Sequence, residues 1–270
     1  MPKCLIVLTA CVKPNTACSL TLTDVETRAT QYLKALDWYF DNTDCDIVFA
    51  ENSGYDTPIP NRIIKSPRFE LLSWQEPQDE IDRGKGYKEA LILERVRDCS
   101  RLFRNAEVVI KITGRLIVKN LPLLLKSLPN DFSTTDCCGQ FERRFHRLDT
   151  RCLIAGKECF CGLLQFDDLI TDNQEPHLIM EGAFALAITD QILNGTCRYI
   201  YPRYVFDYVG SGGGSGQLYT QSDKEMAKQQ CLHTISYPMW RLLATRLIVR
   251  NHRSWLAQTQ QRQAELLQKK

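Results

Sequence analysis

Apolar and polar residues alternate along the N-terminal part of the chain in blocks that predict strands and helices in turn. Residues 4–8 form a short apolar run that includes β-branched side chains, which favours a strand. The next apolar positions are Ala29, Leu33, Leu36 and Phe40, whose spacing places them on one face of a helix. The chain therefore begins with a predicted strand followed by a predicted helix.

The beginning of that helix carries a capping signal. Thr23 and Glu26 have the spacing of a capping box, in which the hydroxyl and the carboxylate each satisfy a free backbone donor. A second strand is predicted over residues 45–51, followed by shorter extended segments over residues 61–66 and 69–74.

A second long helix is predicted over residues 87–103, where apolar side chains recur every three or four positions. It leads into a third strand, "EVVIKIT", at residues 107–113. This alternation predicts an α/β sheet with helices on its faces. In such sheets ligands bind beyond the carboxyl ends of the strands.

The pattern is less regular further along the chain. Residues 120–128 predict a short helix and residues 180–193 a longer one, whereas residues 159–166 and 198–206 favour extended structure. The glycine-rich segment 209–219 is too short, and too closely framed by strand and helix signals, to be a domain linker.

The last part of the chain predicts an amphipathic helix. We therefore predict one Rossmann-like α/β domain with a mixed sheet over residues 1–236, and a C-terminal helical extension over residues 237–270. Such a helix either lies on an anionic membrane surface or packs on the domain, and we favour packing. Its apolar face consists of Trp240, Leu243, Ala244, Leu247 and Ile248, with Arg241, Arg246, Arg250 and Arg253 nearby.

Composition narrows the class of protein. Of 270 residues, 44% are hydrophobic and 24% charged, which is ordinary for a soluble globular protein. A formal net charge of +2 is too small to indicate a nucleic-acid partner. The N-terminus lacks the features of a secretory signal, so we expect a cytoplasmic protein with reduced thiols. No apolar run approaches the ~20 residues that span a bilayer, so membrane association, at the inner face of the cytoplasmic membrane, would be peripheral.

Twelve cysteines raise the question of a zinc site. Cys137 with Cys138, and Cys159 with Cys161, lack the C-x-x-C spacing of familiar structural sites, and the four histidines form no recognisable ligand pattern. We expect these cysteines to act as small buried hydrophobic residues.

Two turns near the predicted sheet edge carry groups suited to a nucleotide. Glu51, Asn52 and Ser53 offer hydrogen-bonding groups for a base or ribose, unless they form an ordinary solvated turn. The segment 84–87, which is Gly84, Lys85, Gly86 and Tyr87, precedes a helix. Glycines there let backbone N–H groups approach a phosphate or pyrophosphate at the helix N-terminus. The spacing matches neither the P-loop nor the G-x-G-x-x-G fingerprint, so an ordinary loop is the alternative.

"GKGYKEALILERV" at residues 84–96 and "AEVVIKITGRLIVKN" at residues 106–120 carry a family resemblance. They resemble bacterial glycosyltransferases of the GT-A-like class that build cell-surface polysaccharide, either lipopolysaccharide or capsule. In those proteins a G-K-G-x-x-E-A loop leads through a helix to a strand ending in K-I-T-G-R. The resemblance covers roughly residues 1–120 in organisation, with weaker support at residues 179–188 and 209–216.

The resemblance implies a GT-A-like fold, a nucleotide-sugar donor and a saccharide or lipid-linked saccharide acceptor. Where the wider class holds a metal with Asp-x-Asp, this sequence has Thr113, Gly114 and Arg115. A guanidinium binds phosphate through two parallel donors, so Arg115, helped by Lys85 or Lys111, would stabilise the leaving diphosphate. No metal cofactor would then be required, with Mn²⁺ or Mg²⁺ as the alternative. A structural ion pair is the other interpretation of Arg115.

Glu181, at the start of a predicted apolar helix, is the candidate base that deprotonates the acceptor hydroxyl. The helix dipole alone also favours a glutamate there. Asp136, Asp167 and Asp168 are further candidates, the last two as a displaced metal-binding pair.

Gly210, Ser211 and Gly212 complete the candidate site, since their backbone donors suit a phosphate. A mobile connector is the alternative. Two rival functions stay open at this point. A sugar nucleotidyltransferase would have similar loops, but it usually carries a glycine-rich loop after the first strand, where this chain has Lys13 and no glycine. A non-catalytic protein that binds saccharide or a partner enzyme is the third reading.

Overall fold

The computed structural model describes most of the chain. The described residues are 2–14, 21–77, 82–142, 145–172, 178–212, 218–220 and 222–268, with side chains described up to residue 258. Residues 213–217 of the glycine-rich segment lie outside them, as does Cys18.

A mixed seven-stranded sheet forms the centre of the domain, in the order β3-β2-β1-β4-β7-β6-β8. Strands β1 to β4 run parallel, whereas β7 is antiparallel to both β4 and β6. A small three-stranded sheet, β10-β9-β5, lies beside it. The strands are β1 (Cys4–Ala10), β2 (Asp46–Glu51), β3 (Phe69–Ser73), β4 (Val108–Thr113), β5 (Ile117–Val118), β6 (Asp136–Glu142), β7 (Arg147–Gly156), β8 (Arg198–Ile200), β9 (Tyr208–Ser211) and β10 (Leu218–Thr220).

Helices cover both faces of the central sheet. They are α1 (Val25–Asn42), α2 (Asn61–Ile64), α3 (Lys85–Cys99), α4 (Arg101–Arg104), α5 (Leu121–Lys126), α6 (Lys157–Leu163), a 3₁₀ helix (Leu164–Leu169), α7 (Met180–Leu193) and α8 (Asp223–Gln268). The predicted fold class, one mixed α/β sheet flanked by helices with a C-terminal helical extension, is confirmed.

The core consists of two apolar layers, one on each face of the sheet. Side chains of β1 alternate between them: Leu5 and Val7 join the layer with α3 and α7, and Ile6 and Leu8 join the layer with α1. All four are fully buried, as expected for a parallel strand covered on both faces. The polar groups at the strand ends are thus left at the edge of the sheet.

The first two helices differ in detail from the prediction. Asp24, not Thr23, caps α1, since its side chain accepts a hydrogen bond of 2.8 Å from the Thr27 N–H. The helix predicted over residues 87–103 is broken at Ser100. That residue has an extended backbone, and its hydroxyl accepts the N–H of Phe103 and so caps α4.

For three segments, the prediction of extended structure was wholly or partly wrong. Residues 61–66 contain α2, and residues 159–166 lie in α6 and the 3₁₀ helix that follows. Short apolar runs do not distinguish a buried helix from a strand, and that ambiguity accounts for both errors. Of residues 198–206, only Arg198–Ile200 forms a strand, because Pro202 supplies no N–H for a ladder.

The C-terminal helix α8 begins at Asp223, so the predicted boundary at residue 237 falls inside it. It packs against α7, and Ala244 and Ile248 are fully buried in the core layer that contains α7. The His252 Nε2 atom lies 2.9 Å from the carbonyl oxygen of Phe145. Four of the five residues of the face predicted to be apolar therefore pack on the domain, with Trp240 and Leu247 partly buried, whereas Leu243 is exposed. Within the described ranges, no helix combines the length and apolar character needed to cross a membrane.

The cysteines that were considered as possible zinc ligands are mostly buried. Cys137, Cys138 and Cys159 lie in the core and Cys161 is half-buried. Burial raises the pKa of the Cys138 thiol to about 12, so this thiol is protonated at neutral pH and is a poor metal ligand. No three potential ligand side chains converge on a metal-sized site in the part of the chain that the structure describes.

The two sides of α8 provide a matched pair of substitutions. Ile248 is fully buried whereas Ile235 is 73% exposed. Ile248→Ala should lower the free energy of unfolding by about 2–5 kcal/mol, because it opens a cavity in the core. Ile235→Ala should change it by less than about 0.5 kcal/mol. Urea unfolding followed by circular dichroism measures both, and equal losses would contradict the packing described here.

Candidate active site

Polar side chains gather at the edge where the parallel strands end. The carboxyl ends of β1, β2 and β4 lie at this edge, and β7 reaches it because Ile112 of β4 pairs with Cys152 of β7. Helix α3 follows β3 and begins at the same edge, and Glu181 of α7 is within hydrogen-bonding distance of Thr150 of β7. Most of the predicted site residues lie along this edge.

Arg115 is a buried cation without a carboxylate partner. Its exposed fraction is 4%, its guanidinium lies 5.7 Å from the ring centre of Tyr32, and Nη1 is 3.3 Å from the side-chain oxygen of Gln31. Among the described residues its Nε finds no hydrogen-bond acceptor, and no carboxylate pairs with it. Burial lowers the pKa of Arg115 because the charged form is desolvated. Such a group is stabilised when an anion binds it.

The segment around Gly210 lies directly against Arg115. Gly210 has φ +130°, and a Cβ there would lie 2.6 Å from the Arg115 carbonyl oxygen, so the close approach of β9 requires glycine. The Ser211 hydroxyl donates a 3.0 Å hydrogen bond to the same Gln31 oxygen that Arg115 contacts. Gly212 follows and is half-buried. The structure thus brings two predicted phosphate-binding segments together.

Lys111 is neutralised within the protein. It is fully buried, and its Nζ lies 2.7 Å from Glu89 Oε1. Burial alone would raise the pKa of Glu89, but the charge and hydrogen bond of Lys111 outweigh it and lower that pKa. The side chain of Lys111 shares the sheet face of Val109, towards α3 and α7, whereas Arg115 lies towards α1. Lys111 therefore offers little free charge to a diphosphate.

Two threonines connect this ion pair to the strand ends. The Thr9 hydroxyl donates to Glu89 Oε1 at 2.7 Å, and the Thr113 hydroxyl lies 3.4 Å from the same oxygen. The Gly114 N–H donates to the Thr9 carbonyl at 3.0 Å. Thr9 therefore links the Lys111 side of the edge to the turn that carries Arg115.

Glu181 lies in the first turn of α7 and is largely enclosed. Its Oε1 accepts a hydrogen bond of 3.3 Å from the Thr150 hydroxyl. Burial raises the pKa of Glu181, the negative charge of Glu89 raises it further, and Lys111 partly offsets both. A carboxylate with a raised pKa is better matched to proton transfer near neutral pH than an ordinary glutamate.

In the loop before α3 an internal carboxylate occupies the predicted phosphate position. The Gly86 N–H donates a 2.6 Å hydrogen bond to Asp172 Oδ2. Gly84 has φ +102°, and a Cβ there would lie 2.4 Å from the Cβ of Asp172. The segment from Gly84 to Tyr87 is thus already engaged with an anion from its own chain.

The side chains of this loop are also placed by their neighbours. Lys85 is exposed to solvent, and the ring of Tyr87 lies 3.7 Å from the guanidinium carbon of Arg83. Arg83 in turn donates to the backbone carbonyls of Asp168 and Ile170. The loop is held against the 3₁₀ helix that follows α6.

Glu51 organises the neighbouring turns. It is fully buried, and its carboxylate accepts 3.0 Å hydrogen bonds from the N–H groups of Val12, Ser53 and Tyr55 and another from the Ser53 hydroxyl. Ser53 Oγ also accepts the N–H of Lys13 at 3.0 Å. Glu51 and Ser53 thus have their hydrogen bonds within the protein.

Asn52 differs from its two neighbours. Its side chain is buried, and its Oδ1 has no hydrogen-bond partner among the described residues. Of the three residues predicted to bind the nucleoside, Asn52 is the one with an acceptor left to satisfy.

The further acidic candidates lie elsewhere. Asp136 forms two hydrogen bonds with Arg198, at 2.9 and 2.7 Å, at the amino-terminal end of β6 and so at the opposite edge. Asp167 is buried beside Glu94, and burial together with that neighbour raises the pKa of Asp167 to about 6. Asp168 is exposed and pairs with Arg83 at 3.6 Å.

Sequence reasoning missed several side chains that build this edge. Glu89 is the glutamate of "GKGYKEA", so that motif was the signal that could have found it. Gln31 and Tyr32 lie on α1 with nothing in the sequence to separate them from other helix residues. Thr150 depends on the pairing of β7 with β4, which no local pattern contains.

Comparison with known proteins gives distant structural likeness. No protein-family model matches the sequence, and no curated protein matches it significantly. A solved glycosyltransferase involved in the glycosylation of the major capsid of PBCV-1 is similar with a TM-score of 0.42 and 11% identity, over 75% of this chain and 83% of that chain. The glycosyltransferase GlyE of Streptococcus pneumoniae TIGR4 is similar with a TM-score of 0.41 and 10% identity, over 74% of this chain and 45% of that chain. Likeness this distant says nothing about what the present chain acts on.

The raised pKa of Glu181 predicts a pH-dependent effect on stability. In the unfolded chain glutamate titrates at about 4.3, so the wild type loses stability as the pH rises from there through the higher folded pKa. The Glu181→Gln variant has no carboxyl group at this position, so it does not lose stability in this way as the pH rises. The unfolding free energy of the variant minus that of the wild type should therefore become more positive as the pH rises from about 4 through the raised pKa of the folded protein.

Glu225 provides a control of opposite sign. Hydrogen bonds from the backbone and hydroxyl of Ser222 lower the pKa of Glu225, so its contribution to stability is present above the unfolded pKa and is lost as the pH falls. For Glu225→Gln the same difference should become more negative as the pH rises through about 4. Urea unfolding at a series of pH values tests both, and slopes of the same sign would be inconsistent with the burial of Glu181.

Proposed function

We propose that the protein is a glycosyltransferase that moves a sugar from a nucleotide donor to a saccharide or lipid-linked saccharide acceptor, in the assembly of bacterial surface polysaccharide or lipopolysaccharide. The observation that carries the proposal is Arg115, a buried guanidinium at the strand ends whose Nε has no hydrogen-bond partner, and which has no carboxylate in an ion pair, among the described residues. Sequestering a charge in this way is unfavourable unless a ligand compensates for it. The sequence resemblance supplies the donor class.

The donor would lie along the strand ends. Its diphosphate would contact Arg115, next to Ser211 and Gly212. Asn52 would hydrogen-bond the nucleoside through its Oδ1, which accepts no hydrogen bond from any described residue. The Gly86 N–H would join only if the carboxylate of Asp172 gives way.

Glu181 would serve as the base. Its carboxylate takes the proton of the acceptor hydroxyl while that oxygen forms a bond to the anomeric carbon. The bond between that carbon and the phosphate oxygen breaks, and its electron pair leaves with the nucleoside diphosphate. Arg115 stabilises the negative charge that grows on the leaving group. This single displacement would invert the anomeric configuration.

We propose further that the cation of Arg115 takes the place of a metal in the donor site. Arg115 follows β4 directly, where the resembling class carries Asp-x-Asp. The alternative, a donor site that needs Mn²⁺ or Mg²⁺, is distinguished by adding a chelator to the wild type. Activity lost in chelator and restored by Mn²⁺ would overturn metal independence.

Removal of the Arg115 charge should weaken donor binding. Arg115→Gln should raise the dissociation constant of the preferred nucleoside diphosphate sugar about 10- to 100-fold, because a charge-assisted hydrogen bond contributes about 1.5–3 kcal/mol. The preferred donor is found first from the thermal shift of the wild type with UDP-, GDP-, CMP- and dTDP-linked sugars. Titration calorimetry then measures the dissociation constant of that donor for the wild type and for the variant.

The matched control is Arg203→Gln, an exposed arginine that follows β8, three strands away from β4 in the sheet, and whose guanidinium lies 5.9 Å from the ring centre of Tyr204. It should bind donor as the wild type does. Wild-type affinity in Arg115→Gln, with an unchanged melting temperature, would refute the proposed diphosphate site. Formation of pyrophosphate when the protein is given a sugar phosphate and a nucleoside triphosphate would favour the nucleotidyltransferase alternative.

The proposed base makes a separate kinetic prediction. Glu181→Gln should lower kcat about 100- to 10,000-fold with little change in the donor KM, because proton transfer is lost while donor contacts are kept. A variant with near-normal turnover would exclude Glu181 as the base. The measurement is the rate of sugar transfer to a saccharide acceptor, monitored by the release of nucleoside diphosphate.

A further inference from the structure

Helix α8 has a second face that the packing on the domain leaves outside. Along it the exposed apolar residues Leu232, Ile235, Met239 and Leu242 are spaced three or four positions apart, so they form one stripe. Their exposed fractions run from 47% to 76%, which is high for large hydrophobic side chains on one line. This outer stripe is distinct from the buried face around Ile248.

The same line continues with positive charge. Arg246, Arg250 and Arg253 follow Leu242 at the same three- or four-residue spacing, and they line a shallow surface groove that also contains Val249 and Ala257. All three arginines are exposed, and none pairs with a carboxylate in the part of the chain that the structure describes. The stripe therefore has an apolar part and a basic part on one helix face.

The stretch of α8 that carries the stripe has no counter-charge, since the acidic residues of the helix, Asp223, Glu225 and Glu265, stand near its two ends. Between residues 226 and 264 there is no aspartate or glutamate, although Lys228 and five arginines lie in that range. A second copy of the helix laid on the stripe in parallel register would bring arginines and lysine against each other without an acid to pair with them. An anionic surface meets both the apolar side chains and the charges.

We propose that the outer stripe of α8 docks the protein on an anionic lipid bilayer. Leu232, Ile235, Met239 and Leu242 enter the boundary between headgroups and acyl chains, and Arg246, Arg250 and Arg253 contact the lipid phosphates. Apolar insertion and electrostatic attraction add, which is how helices lie in the plane of a membrane surface. The inference does not depend on the proposed chemistry, since binding to vesicles is measured without donor.

The test uses the full chain and vesicle sedimentation. The protein should sediment with vesicles of phosphatidylcholine mixed with phosphatidylglycerol, but not with phosphatidylcholine alone. Bound protein should decrease at high salt, because screening shortens the reach of the charges. A triple variant, Arg246→Gln, Arg250→Gln and Arg253→Gln, should lose about a hundredfold in vesicle affinity, and Ile235→Ser with Leu242→Ser should also lose affinity.

The control removes the same number of charges elsewhere on the surface. Lys34, Lys65 and Arg104 are exposed, and replacing all three with glutamine changes the formal net charge from +2 to −1, as the arginine variant does. This control should bind vesicles within a few-fold of the wild type. Unchanged melting temperatures show that all variants are folded, because every altered side chain is exposed.

Three results would overturn the proposal. The first is equal binding of the wild type to neutral and anionic vesicles. The second is an equal loss of vesicle affinity in the arginine variant and its control, and the third is a wild type that does not sediment with vesicles. In the last case, light scattering that shows a dimer, abolished by Ile235→Ser with Leu242→Ser, would identify a second copy as the occupant of the stripe instead.

Discussion

The placement of one uncompensated cation governs the candidate site. Arg115 leaves the end of β4, turns towards α1 and is enclosed there by Tyr32, Gln31 and the strand that contains Gly210. Helices seal both faces of the sheet, so the strand ends are where a polar ligand reaches this charge. Everything proposed for the donor follows from the burial of this guanidinium without a carboxylate partner in the part of the chain that the structure describes.

The contrast with Lys111 shows why this placement matters. Lys111 and Arg115 are four residues apart, both are buried, and the sequence alone makes them equivalent candidates. Strand geometry directs Lys111 to the other face, where Glu89 neutralises it and Thr9 completes the arrangement. The Lys111–Glu89 pair then acts on Glu181, since the two charges shift the pKa of that carboxyl in opposite directions. One cation is left to bind an anion while the other takes part in setting the proton affinity of the candidate base.

The sequence predicted the sheet, most helices and the edge at which polar groups gather, because these follow from periodicity and from the geometry of parallel strands. It failed where local signals were ambiguous, as in residues 159–166, which form helix and not strand. It could not reveal that the hydrogen bonds of Glu51 are satisfied internally, or that Gly86 already binds Asp172, because both depend on contacts between distant segments. Helix α8 has two apolar faces, and the sequence predicted only one of them. It predicted the face that packs on the domain and missed the outer stripe.

The contact between Asp172 and the Gly86 N–H has a consequence for ligand affinity. The carboxylate belongs to the same chain, so it is present at this amide at a high effective concentration that dilution does not reduce. A phosphate that binds at the start of α3 must compete with this tethered anion, and its observed dissociation constant includes the free energy of that exchange. The protein thus carries an internal competitor for one of its own anion positions.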